Sequence, residues 1–236
     1  MTDTAHPLDQ PAWSALKGAH ARLALRAGRA ARYPAEVAPF AAVAALGKEA
    51  LRDLCDLVPP GGYVAMFLGD ATDLGPDWNC VQRFGVIQMV CERAVPPPAL
   101  PLETLARRDV EEMLALVESA RPGPFGPRTI ELGPYVGVRE GRRLVAMGGE
   151  RLRPAGHSEV SAICTAPEAR GRGLGEAVSR AVAAGIQARG ELPFLHVQVG
   201  SSSEATAVAL YSRIGFRERR RTWLSVVQRA KSRDVP

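Results

Sequence analysis

The residues whose types and spacing point most directly to chemistry are Arg170-Gly171-Arg172-Gly173-Leu174-Gly175. They follow an apolar run, Val160 to Thr165, in which Val160, Ile163 and Thr165 favour strand, and Pro167 ends that run. They precede a small-residue helix pattern carried by Glu176, Ala177, Val178, Ala181, Val182, Ala184 and Ile186. A glycine-rich turn between a strand and a helix aims several backbone N–H groups at one point. The positive end of the helix adds to them. Without a Cβ the backbone comes close to an anion, and Arg170 and Arg172 bring fork-shaped donors that match phosphate oxygens. The chemistry is anion binding; the alternative is a plain turn with two solvated arginines.

Spacing separates the glycine motifs. A Walker loop needs Lys and Ser/Thr after its last glycine, and here Glu176 and Ala177 follow Gly175. A dinucleotide fingerprint needs G-x-G-x-x-G, and the third glycine is misplaced for it. The pattern that fits is Arg/Gln-x-x-Gly-x-Gly, and it resembles the pyrophosphate loop of the GNAT superfamily of acyl-CoA-dependent N-acyltransferases. Downstream, Ala207-Val208-Ala209-Leu210-Tyr211-Ser212-Arg213-Ile214-Gly215-Phe216 is similar to that superfamily's A-x-x-L-Y-x-x-x-G-F signature. The segments PGPFGPRTIELG, from Pro122, and Leu144 to Leu152 resemble its glycine-N-acyltransferase-like branch. The resemblance covers residues 100 to 225.

It implies acetyl-CoA, or another short acyl-CoA, as co-substrate and direct attack of an amine in a ternary complex. It also implies diphosphate on Arg170, Gly171, Arg172, Gly173, Leu174 and Gly175, with the pantetheine arm paired to the backbone of Ile163, Cys164 and Thr165. Tyr211 is then the acid that protonates the leaving thiolate. Glu159, eleven residues before Arg170, is the candidate base. Ser203, Glu204 and Ala207 fall where the family contacts the cofactor, with one departure. Glu204 stands where an Asn is common, and a carboxylate cannot donate as an amide does. Ser202 or Ser203 is the stand-in.

Each assignment has a plainer reading. Tyr211 is otherwise a core aromatic beside Val208, Leu210 and Ile214, and Glu159 a solvated acid at a strand start. Glu150 and Glu131 are the reserve bases. Cys164 reads as structural, because a nucleophilic Cys wants a nearby His and a lowered pKa. His196, alternating with Phe194 and Gln198, is a hydrogen-bonded structural His or a proton relay through water. The rival functions are a non-catalytic acyl-CoA sensor and a nucleotide-binding regulator.

Elements must position these groups. Phe194 to Val199 reads as the next strand, Ala207 to Phe216 as a helix with its end, and Phe216 to Val227 as a closing strand or hairpin. Tyr135 to Arg139 and Arg142 to Arg153 pair through Glu140-Gly141. Asp109 to Ala120 is helical. Upstream, residues 1–19 read as a loose arm, Ala21 to Leu25 as a strand, and Ala41 to Leu57 as a helix stopped by Pro59-Pro60-Gly61-Gly62. Tyr63 to Leu68 and Phe84 to Cys91 read as strands. Pro96-Pro97-Pro98 with Pro101 reads as a linker. The expected fold is therefore α/β (α+β): a GNAT-like mixed, mostly antiparallel sheet flanked by helices over 102–236. A smaller N-terminal α/β subdomain, a degenerate half-copy, is expected over 1–95.

Composition excludes several classes. A chain of 236 residues, 46% hydrophobic and 23% charged, can bury a substantial core. No apolar run spans a membrane, and Met1 to Gln10 lacks a signal-peptide core. Cys55, Cys80, Cys91 and Cys164 lack metal spacing, and Asp70, Asp73 and Asp77 do not form an EF-hand. These features point to a cytoplasmic protein with reduced thiols and no metal. The net charge of +5 comes with only 6% aromatics, so a polyanionic cofactor explains it better than nucleic acid. The expected acceptor is a small-molecule amine or amino acid, with a protein acceptor and a homodimer as further expectations.

Overall fold

The computed structural model describes residues 6–69, 72–120 and 123–231. Asp70 and the first residues of the expected arm lie outside them. From the N-terminus come α1 (Pro11–Lys17), β1 (Leu25–Ala27), β2 (Ala30–Arg32), β3 (Ala41–Val43), α2 (Lys48–Cys55), β4 (Tyr63–Leu68) and β5 (Trp78–Val90). Then follow β6 (Glu103–Leu105), α3 (Val110–Ala120), β7 (Tyr135–Glu140), β8 (Arg143–Glu150) and β9 (His157–Thr165). The chain ends with α4 (Leu174–Ala188), β10 (Leu192–Gln198), α5 (Glu204–Ile214) and β11 (Arg217–Arg229).

An eight-stranded sheet runs β4-β11-β5-β10-β9-β8-β7-β6. Only β9 and β10 are parallel neighbours; the other pairs are antiparallel. This is the mixed, mostly antiparallel sheet that the motifs imply. Its helical face buries Val178, Val182, Ala183 and Ile186 of α4 with Met113 and Leu116 of α3 against Met147, Val160, Leu195 and Val197. The α4 positions recur at helical spacing on one side, and each buried Val or Ile contributes about 1.5–3 kcal/mol. Val178→Asp would bury a charge in the centre of that stripe.

The other face carries an N-terminal layer. Leu8, in the 3₁₀ turn Pro7–Asp9, and Ala12, Ala15 and Leu16 of α1 pack with Tyr33 and Phe40 against Phe67, Val86 and Phe194. A buried stripe therefore replaces the expected loose arm. Ala21–Leu23 is a 3₁₀ turn, and strand begins only at Leu25. The expected helix over 41–57 is helical only in its second half, because Ala41–Val43 is buried as β3, the edge strand that pairs with β2.

The division at residues 96–101 does not separate two sheets. β5 lies between β10 and β11 and pairs with both, and β4 covers the outer edge of β11. The proline run is extended coil carrying the chain from mid-sheet to the far edge at β6, a path that suits proline as well as a linker does. Among the described residues the N-terminal third shows no second copy of the large sheet; its own sheet is the three short strands β1-β2-β3.

Candidate active site

β9 and β10 pair only at Leu192 with His157, Pro193 with Ser158 and Phe194 with Glu159. Beyond Glu159 the two strands part, so Val160 to Thr165 has no β10 partner along that edge. A bulge marks the same stretch. Met147 pairs with Cys164 and Gly149 with Ser161, which leaves Ala162 and Ile163 opposite Gly148. Ala162 has φ of 53°, a left-handed conformation that costs a non-glycine residue about 1–2 kcal/mol. A Cβ on Gly148 would collide with Ile163 and Val178. Such a bulge re-aims backbone groups where a sheet opens.

The glycine loop lies at the end of this strand. Gly171 and Gly173 have φ of 76° and 77°, and a Cβ on either would meet nothing within 4 Å. The left-handed backbone, not crowding, is what requires glycine there. Gly173 is the N-cap of α4, and no side chain caps the helix. The first-turn N–H groups of a fifteen-residue helix thus face outward beside two arginines. Arg170 reaches back to the Thr165 carbonyl at 3.4 Å, and Arg172 pairs with Glu140 at 2.5 Å. Leu174 is buried as the first helical residue, and Gly175 lies against Thr165 Oγ1.

Ile163, Ala162, Ala207 and Tyr211 pack around the cluster formed by α4, β9 and β10. Tyr211 interacts with Ser179 of α4, and its ring meets Phe216 edge-on at 5.8 Å. Burial pushes its hydroxyl up to about 12, with Ser179 opposing. The group therefore stays protonated at neutral pH, as a proton donor must. Cys164 is 6% exposed and its thiol is pushed up to about 12 by burial, which leaves no thiolate for nucleophilic attack. Ser203 is the N-cap of α5 without a side-chain capping bond. Glu204 accepts from the Gly200 N–H at 2.6 Å, so its carboxylate closes the preceding turn.

Glu159 lies on the opposite side, against the N-terminal layer, and is 0% exposed. Arg151 grips both of its oxygens, at 2.8 and 2.9 Å, and His196 Nδ1 lies 2.7 Å from Oε1. Burial alone would raise its pKa, but Arg151 and His196 hold the carboxyl well below the usual range. A buried, doubly held carboxylate is a poor proton acceptor, so the geometry gives Glu159 a structural role in place of the expected base. The reserve candidates are also engaged. Glu150 binds Ser158 and Arg189, each at 2.6 Å, and Glu131 binds Arg128 at 2.8 and 2.9 Å. Gln88 lies 3.1 Å from His196 Nε2; its Oε1 takes Arg219, which turns its amide nitrogen to the ring. With Nε2 facing that amide, the Nδ1–H is the group that donates to Glu159, which gives His196 a structural place between Gln88 and Glu159.

A family model described as FR47-like protein matches residues 135–224. A crystal structure from Novosphingobium aromaticivorans, named as an acetyltransferase of the GNAT family, shares 35% identity over 96% of this chain and 100% of its own, with a TM-score of 0.87. This chain belongs to the GNAT family. A GCN5-related N-acetyltransferase from Kribbella flavida, 16% identical, covers 97% of this chain and 96% of its own at a TM-score of 0.63, which shows shared fold alone. No curated protein matches the chain.

For a GNAT protein the residues fit an acyl-CoA co-substrate. The loop of Arg170 to Gly175 and the uncapped α4 would hold the diphosphate, and the unpaired edge of Val160 to Thr165 would hold the pantetheine arm. Sequence reasoning missed the bulge at Ala162, the grip of Arg151 and the contact of Ser179. The paired glycines Gly148-Gly149 inside a strand were the available signal for a bulge. Ser179, polar within the apolar stripe of α4, was the signal for a buried partner. Among the described residues no group of His, Cys, Asp or Glu is arranged to hold a metal, and no helix is long and apolar enough to cross a membrane.

Proposed function

We propose that the protein is an N-acyltransferase that moves an acetyl or other short acyl group from acyl-CoA to a primary amine of a small molecule or amino acid. The observation that carries this reading is the opening between β9 and β10, with the diphosphate-suited loop at one end and Tyr211 beside it. In the reaction the amine nitrogen attacks the thioester carbonyl, a C–N bond forms and the C–S bond breaks. Backbone N–H groups at the bulge of Ala162 and Ile163 are the donors we assign to the carbonyl oxygen as it gains charge. Tyr211 gives its proton to the departing sulfur and regains one from solvent. Glu159, Glu150 and Glu131 are held by other partners, so the ammonium proton passes to water.

The likeness to the glycine-N-acyltransferase branch supports a small acceptor. Its PGPFGPRTIELG segment holds Phe125, whose ring packs edge-on against Tyr135 at 5.6 Å. The test is thiol release from acetyl-CoA against a panel of amines and amino acids. Release that saturates with one amine class supports the reading. Tight CoA binding with no release for any amine would favour the acyl-CoA sensor instead.

A further inference from the structure

A cavity of about 330 Å³ opens at the closed end of the β9–β10 pair, away from the splayed strands. The start of β10, the end of β5, the start of β11 and His6 enclose it. Among the described residues, the guanidinium groups of Arg93 and Arg217 on its wall have no ion-pair or hydrogen-bond partner. Arg219, the third guanidinium there, is taken by Asp9 and Gln88, each at 2.8 Å. Of the two acids at the rim, Glu218 is held by Arg221 at 3.0 Å, which leaves Glu92. His6 Nδ1 accepts from the Leu8 N–H at 3.2 Å, so a neutral ring carries its proton on Nε2. His6 is also harder to protonate than usual, first through burial and then through Arg219 and His157, a sign of a positive local field.

Two free forked cations and an imidazole around one concavity are the ingredients of an oxyanion site. The volume is at the small end of ligand pockets, roughly 300–1,000 Å³, which suits a compact molecule and not an intact coenzyme A. We propose that this cavity is a second, non-catalytic ligand site for a small molecule bearing a phosphate or carboxylate group, held between Arg93 and Arg217. Arg219 links its wall to the splay through Gln88, His196 and Glu159, in steps of 2.8, 3.1 and 2.7 Å.

This inference does not rest on the acyltransferase reading. The test is calorimetric titration of the full chain with inorganic phosphate at fixed ionic strength, in saturating CoA so that the diphosphate loop is filled. Saturable binding is expected. It should weaken by about 10-fold or more in Arg93→Ala/Arg217→Ala and partly recover in Arg93→Lys/Arg217→Lys. The Gly173→Glu variant, titrated without CoA and with its α4 loop blocked by the added carboxylate, should show the same cavity affinity for phosphate that the CoA-saturated wild type shows, which keeps the result independent of any CoA binding. Competition by citrate would assign carboxylates to the same site; failure to compete would restrict it to phosphates. Absence of saturable binding, or unchanged affinity in a correctly folded Arg93→Ala/Arg217→Ala variant, overturns the proposal.

Discussion

The buried pair of Arg151 and Glu159 separates a structural carboxylate from a catalytic one. Glu159→Gln keeps the shape but leaves a guanidinium only 16% exposed without its counter-charge. Removing one partner of a buried pair costs about 3–5 kcal/mol. For a chain of this length 1 kcal/mol corresponds to roughly 2–4 °C, so the expected drop in melting temperature is about 6–20 °C. Replacing both partners, Arg151→Met with Glu159→Gln, should recover much of the loss because neither charge then stays buried. The pH dependence follows from the direction of the shift. Glu159 is held below its ordinary value in the fold, so its contribution is complete above that value, 4.5, and is lost as pH falls below it. The Gln variant should lack this share of the acid destabilisation. Calorimetry across pH, together with kcat/KM profiles at a temperature where both proteins are folded, reads these effects. A Gln variant that melts like the wild type, yet loses its turnover and the acid limb of its rate profile, would refute the structural role and restore Glu159 as the base.

Further outcomes are expected elsewhere. Tyr211→Phe should lower kcat by about 10²–10⁴-fold with CoA affinity unchanged; full turnover with an accepted amine would show that water protonates the thiolate. Gly173→Glu should abolish CoA binding by calorimetry, since it puts a carboxylate at the N-terminus of α4 and strains a left-handed position, whereas Gly173→Ala should only weaken it. A fragment of residues 102–236 should be insoluble or unfolded, because it lacks the strand between β10 and β11; a soluble fragment with native circular dichroism would contradict the shared sheet.

Local chemistry was legible where the sequence is punctuated. Pro167, Gly171 and Gly173 fixed the end of β9 and the start of α4, and Gly141 marked the β7–β8 turn at φ of 60°. The grip on Glu159 was hidden because it depends on register. Arg151 faces Glu159 only when the connection between β8 and β9 holds Glu150 opposite Val160, and the residues 151–156 do not declare a turn type. Alanine-rich stretches were ambiguous for a different reason. Ala41 to Ala45 carries no periodicity; burial of Ala41–Val43 selected strand there over helical propensity, and Ala44 and Ala45 form an exposed bend. The position of β5 was hidden because pairing partners far apart in sequence leave no local trace.

That last feature also sets a schedule for folding. Arg83 on β5 meets Ser225 on β11, 142 positions later. During synthesis β5 therefore exists long before either neighbour, with both edges free to pair elsewhere. Such long-range pairing slows folding and lengthens exposure to aggregation. The outer half of β5 carries Asn79, Gln82 and Arg83, polar side chains of the kind that discourage strand-to-strand association. Its apolar half, Val86 to Val90, is the stretch that a chaperone would have to shield until β10 and β11 leave the ribosome.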